Sequence, residues 1–128
     1  CVRGESLQEN SFSEILLSEK NVVTDTNGFY WTKDYLINKT WKDALNYCEN
    51  LEYAGFNDWR LPNIEEMKTL INDSIENAAS NFPEMSPEFF WTSTAKSPSY
   101  SSSWGVFFYY GNVGYKNKSD LGSVRCIR

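Results

Sequence analysis

Residues 89–115, FFWTSTAKSPSYSSSWGVFFYYGNVGY, decide the fold class. Aromatic and β-branched residues dominate, no helical period runs through them, and Ser, Pro, Gly and Asn cut them into short pieces. Residues 89–94 and 104–109 read as strands, Gly111-Asn112 as a turn, and 113–115 as a returning strand. Residues 121–127 supply a last strand, which completes an antiparallel meander. Upstream the period changes. Trp41, Ala44, Leu45, Cys48 and Leu51 recur at helical spacing behind a capping Thr40, which predicts a helix over 40–51. Residues 57–62 read as extended. Asn63 then caps a second helix, with Glu65 and Glu66 in its first turn and Ile64, Met67, Leu70 and Ile71 on its apolar face. Further upstream, 22–25 and 29–32 flank the turn Asp25-Thr26-Asn27-Gly28 and form a hairpin. Residues 5–20 are polar around the knot Ile15-Leu16-Leu17 and read as a linker entering an edge segment. The expected architecture is α+β: an N-terminal β-hairpin, two helices and a C-terminal antiparallel β-meander, with first and last strands near each other.

At 128 residues the chain makes one domain, and 41% hydrophobic content suffices for a core. Eight Tyr, eight Phe and five Trp exceed what a small core needs, so some of them should face a partner. A net charge of −5 argues against a nucleic-acid partner, whose backbone needs clustered Lys and Arg. The sequence holds no His, which excludes Ser-His-Asp and Cys-His catalysis and His-ligated zinc. Apolar runs are too short for membrane insertion. There is no initiating Met and no leader, so the chain reads as a mature or excised piece whose export signal lies outside it.

The cysteines are Cys1, Cys48 and Cys126. The chain opens Cys1-Val2-Arg3 and closes Cys126-Ile127-Arg128, a match that suggests a tandem repeat. On that reading residues 1–10 are the tail of a preceding copy plus linker, and 11–128 are the domain. Cys48 then pairs with Cys126, closing a loop whose constraint on the unfolded chain is worth roughly 4 kcal/mol. The alternative to the repeat tail is that Cys1 is a lipid-anchor cysteine or a cloning remnant. A bridge implies an oxidising compartment, extracellular or at the cell surface, with anchoring by lipid or array through regions outside this segment.

Five segments then carry a resemblance: Val23-Thr24-Asp25 with Gly28-Phe29-Tyr30-Trp31; Ala44-Leu45-Asn46-Tyr47-Cys48; Gly55-Phe56-Asn57-Asp58-Trp59-Arg60-Leu61-Pro62-Asn63; Phe90-Trp91-Thr92-Ser93-Thr94; and Val124-Arg125-Cys126-Ile127-Arg128. In this order they resemble the DUF1566 family, similar to the C-terminal domain of the Legionella collagen-like adhesin. The resemblance covers about residues 11–128. It implies a C-type-lectin-like fold, shared with formylglycine-generating enzymes and hypervariable phage receptor-binding proteins, and it implies surface display in tandem copies. Sugar-binding lectins of that fold hold calcium through Glu-Pro-Asn and Trp-Asn-Asp sequences, and neither is present. No cofactor or metal is expected, and the sequence does not indicate calcium. The adhesin relative is thought to bind sulfated polysaccharide, which suits basic surfaces. The net acidity of this chain argues against carrying that ligand over.

Asp58, Arg60 and Arg125 are expected to form a structural ion pair that fixes the loop between the helices, and Arg125 and Arg128, which flank Cys126, to partner Asp58 or a helix dipole rather than a ligand. Glu65, Glu66, Asp73, Glu76, Glu84 and Glu88 show no spacing that selects an acid/base pair, and no thiol is spare, so no enzyme activity is expected. The informative stretch is 93–123, whose Tyr, Trp, Ser, Asn and Gly have the composition of a paratope. Alternation puts Trp104, Val106, Phe108 and Tyr110 on one face, the core, and leaves Tyr109 and Tyr115 exposed. The candidate ligand residues are Tyr100, Trp104, Tyr109, Tyr110, Asn112, Tyr115 and Asn117. Sequons at Asn38, Asn72 and Asn117 carry little weight. The expected function is a surface binding and adhesion module, one copy of an array. Its partners would be a glycan or cell-surface protein and neighbouring copies of the same domain. The alternative is a purely structural repeat of a surface fibre.

Overall fold

The computed structural model describes residues 11–72, 78–80, 82–83, 85–96 and 101–128. Cys1 and the rest of the supposed 1–10 tail lie outside them. The chain is α+β, with eight strands and two helices among the described residues.

Three strands form the first sheet. β1 (Phe12–Leu17) and β2 (Lys20–Asp25) pair antiparallel across a two-residue turn, in which Ser18 and Glu19 are both left-handed. Part of the expected linker is therefore a strand. β3 (Tyr30–Thr32) returns beside β2 as the turn chemistry predicts. The Asp25 carboxylate fastens that turn, accepting from the Asn27 and Phe29 amides and from the Trp31 indole.

The second sheet holds β4 (Leu36–Lys39), β5 (Phe89–Ala95), β6 (Ser102–Phe107), β7 (Asn112–Asn117) and β8 (Gly122–Val124), in the order β4-β8-β5-β6-β7. β5, β6 and β7 form the expected meander. The last strand does not extend it. β8 instead crosses back to lie parallel to β5 and antiparallel to β4, so it is central rather than terminal. Residues beyond β8 continue onto the first sheet: Tyr30 and Arg128 exchange both backbone hydrogen bonds, as do Arg60 and Ile127. The C-terminal segment thus pairs with β3, the return strand of the hairpin, rather than with the first strand, and it joins the two sheets.

α1 (Trp41–Glu49) begins at Thr40, whose hydroxyl accepts from the Asp43 amide. α2 (Ile64–Lys68) carries a full capping box between Asn63 and Glu66. It stops short of the expected end, and the Thr69 hydroxyl donates to the Glu66 carbonyl in its last turn. α1 contacts β5 and β8 while α2 contacts β5 and β6. Two apolar clusters result. Ala44, Cys48, Trp59, Trp91, Val124 and Cys126 belong to the first, and Met67, Leu70, Phe90, Val106, Phe108 and Ile127 to the second. Neighbours in sequence divide between them (Val22 and Val23, Phe90 and Trp91, Cys126 and Ile127), as strand alternation requires. Cys48 and Cys126 are disulfide-bonded inside the first cluster, which ties α1 to the C-terminal segment. No helix is long and apolar enough to cross a membrane among the described residues.

Candidate functional site

The β6–β7 hairpin carries Tyr109, Tyr110 and Tyr115, three of the four exposed aromatic residues among those described. β7 lies at the edge of its sheet, and Trp104 faces Tyr115 directly across the strand pair. Their rings meet edge to face at 5.6 Å. Trp104 is half-buried, and Tyr115 keeps 53% of its surface exposed. The Lys96 ammonium stands 4.7 Å from the centre of the Tyr115 ring. A slip in register between Trp91 and Ala95 precedes Lys96, and the Ser103 hydroxyl spans the irregularity by donating to the Thr92 and Thr94 carbonyls.

A second group stands at the turn of the hairpin. Tyr109 and Tyr110 are 50% and 73% exposed, with their rings perpendicular at 4.7 Å. Asn112 is exposed at the start of β7. From Asn112 to Tyr115 the strand rises about 10 Å, and the odd spacing turns the two side chains to opposite faces of β7. Alternation misplaced Tyr110. Val106 and Phe108 are buried as expected, but the strand ends at Phe107, and the turn carries Tyr110 outward. Asn117 is exposed, yet its side-chain oxygen accepts from the Ser119 amide and hydroxyl, which leaves only its amide nitrogen to offer. Tyr100 lies outside the described residues.

The charge of the C-terminal segment differs from that of the whole chain, although its Arg125 is buried and its Arg128 is paired with Asp58. Residues 89–128 contain Lys96, Lys116, Lys118, Arg125 and Arg128 against Asp120 alone, so the net acidity belongs to residues 1–88. Lys116 and Lys118 also stand over aromatic rings, those of Phe89 at 5.1 Å and Trp41 at 4.0 Å.

The expected grouping of Asp58, Arg60 and Arg125 does not form. Asp58 pairs with Arg128, one of the two arginines expected to reach it, and Arg60 makes a two-pronged bridge to Glu66 at 2.7 Å for each bond. Arg60 is poised over α2, so the capping carboxylate is its nearest partner, and that hydrogen bond holds Glu66 below the usual carboxylate range. The Asp58 carboxyl is likewise lowered, first by its hydrogen bond to Arg128. Arg125 is buried without a carboxylate among the described residues. It donates to the Thr32 and Lys33 carbonyls.

Sequence reasoning missed one concavity. An open cleft of about 480 Å³ lies between the β1–β2 turn and the loop after α1, with Ser18, Lys20, Glu52, Tyr53, Phe56 and Asn57 in its walls. These residues come from separate segments, so no spacing rule unites them. Tyr53 donates to the Asn21 carbonyl at 2.7 Å, and burial, then the Asp34 carboxylate, push its phenol up to about 12. It is therefore a fixed donor at neutral pH. No group of three or more Cys, Asp or Glu side chains is arranged to hold a metal among the described residues.

No curated protein matches this chain. A family model does, across residues 21–128, from the turn end of the first hairpin to the C-terminal segment that joins the two sheets. That match takes in both helices, the bonded cysteines and the whole β6–β7 hairpin, and by it the chain belongs to the family of the Lcl C-terminal domain.

Proposed function

We propose that this domain is a surface-displayed adhesion module that binds carbohydrate through the β6–β7 hairpin. The observation that carries the reading is the gathering of Trp104, Tyr109, Tyr110 and Tyr115 on one edge hairpin with Lys96 beside Tyr115. Tyr and Trp faces suit the apolar faces of sugar rings, and their few rotatable bonds keep the ordering cost small. Lys96, beside Tyr115 and Trp104, favours sugars that carry a carboxylate or sulfate. In this reading the domain performs no chemistry and needs no calcium. Its fold is C-type-lectin-like, with the chain end paired back onto the first hairpin. Membership of the Lcl C-terminal domain family and the disulfide are consistent with an extracellular or surface location. Linked copies would raise weak single-site affinity through effective concentration.

A second reading, a structural repeat, draws on Leu16 of edge strand β1 and Ile37 of edge strand β4, which are 65% and 51% exposed. A glycan array with the monomeric domain, with and without calcium, separates the two. Saturable binding should weaken about tenfold or more in a Tyr109→Ala/Tyr115→Ala variant that still folds. Silence across the array, together with concentration-dependent self-association, would replace the carbohydrate reading with the structural one.

A further inference from the structure

The cleft beside the β1–β2 turn has features that the carbohydrate reading does not use. Two tight turns face one another across it. In the first, Ser18 and Glu19 have φ of 47° and 64°; in the second, Ala54 and Gly55 have φ of 58° and 84°. Three of these four residues carry a Cβ in left-handed backbone, each at a cost of about 1 kcal/mol that the surrounding fold has to offset. The turns touch, since a Cβ on Gly55 would lie 3.1 Å from the Ser18 hydroxyl. The floor is rigid. Trp59 donates to the Tyr53 carbonyl at 3.0 Å, and the Arg128 guanidinium lies 3.7 Å over the Phe56 ring.

The walls offer groups without partners. Among the described residues, the side chains of Ser18, Glu52 and Asn57 make no hydrogen bond or ion pair, and Lys20 meets only the Tyr53 ring, at 5.9 Å. Opposite charges therefore line one cleft without neutralising each other. We infer that this cleft binds a short zwitterionic peptide, with its carboxylate on Lys20 and its ammonium on Glu52. A peptide unit presents one donor and one acceptor, and the Asn57 carboxamide supplies both complements. Tyr53 and Phe56 provide an apolar floor for a side chain, and the volume lies within the range of small-ligand sites.

The test is a ¹H–¹⁵N NMR titration of the folded domain with alanyl-phenylalanine and with the same dipeptide blocked at its amino end, its carboxyl end, or both. The free dipeptide should give saturable shifts at the amides of Ser18, Lys20, Gly55 and Asn57. Blocking either end, or making Lys20→Met or Glu52→Gln, should weaken binding about tenfold, the effect of losing one charge-assisted hydrogen bond. Lys20 and Glu52 are exposed, so both variants should fold. Tyr109→Ala/Tyr115→Ala should leave these shifts unchanged, which separates this site from the hairpin. Absence of saturable shifts at millimolar dipeptide, or equal binding of free and doubly blocked forms, would overturn the assignment.

Discussion

Arg125 is 1% exposed, and its charge meets three aromatic rings in place of a carboxylate. The guanidinium carbon lies 4.2 Å from the centre of the Phe82 ring, 5.0 Å from Tyr35 and 5.5 Å from Phe90. One amino nitrogen donates to the Thr32 and Lys33 carbonyls, while the other and Nε find no acceptor among the described residues. Burial pulls its pKa down to about 10, still far enough above neutrality to keep the charge. A planar, weakly hydrated cation suits such a place, and a compact ammonium does not, because it loses more on leaving water and cannot stack. Arg125→Lys should therefore cost about 3 kcal/mol in urea denaturation, and more than Arg125→Met, which removes the buried charge while keeping an apolar stem. The reverse order would mean that the positive charge itself, and not the stacked plane, holds this part of the core. Nothing in the sequence announced the arrangement. Arg125 beside a cysteine reads as one half of an ion pair, because a charge buried among rings is the rarer outcome.

Elements whose own sequence carries a period were legible, and those placed by distant partners were not. The β2–β3 hairpin follows from the Asp25–Gly28 turn, and α1 from its capping Thr40 and apolar stripe. β4 escaped notice because it spans only Leu36–Lys39, and Asn38 sits left-handed within it, which breaks alternation. β8 reads as a fourth meander strand since nothing local says that it will leave the hairpin and insert beside β5. Two glycines inside the expected strands have a packing role that the sequence does not show. Gly105 and Gly114 look like strand breakers, yet they face each other on β6 and β7 and leave room for rings lying on the sheet. A Cβ on Gly105 would stand 2.3 Å from the Phe89 ring and 2.4 Å from the Phe90 carbonyl oxygen. On Gly114 it would stand 2.5 Å from the Phe107 ring. Gly105→Ala should thus destabilise the domain by about 3 kcal/mol, because backbone as well as a ring would have to move. Urea denaturation with an unchanged slope is the expected readout. A cost below about 0.5 kcal/mol would mean that the sheet accommodates overpacking here with little strain.

Across the whole molecule, composition signalled a surplus of aromatics but not how it divides. Trp31, Trp59 and Trp91 went to the core, and Tyr109, Tyr110 and Tyr115 to the surface. Net charge misled more seriously, since a single total of −5 hides the basic surface around β7. What joins these regions is the segment after β8, which carries Cys126, pairs with β3 and Arg60, and is bonded to α1 across 78 residues of sequence. A loop of that length, held closed in the unfolded chain, should make the bridge worth about 4 kcal/mol. The gain comes from the unfolded state, so the Cys48→Ala/Cys126→Ala double variant should keep native packing at low temperature. Its urea midpoint should fall, and its denaturation slope should rise as the unfolded chain expands. Both cysteines are fully buried, so a thiol reductant should reach the bridge only through unfolding, at a rate that urea accelerates. Fast reduction in native buffer, at a rate independent of urea, would show that the C-terminal segment detaches by itself. The two sheets would then be joined by a strand that opens, and not by one that the rest of the fold holds in place.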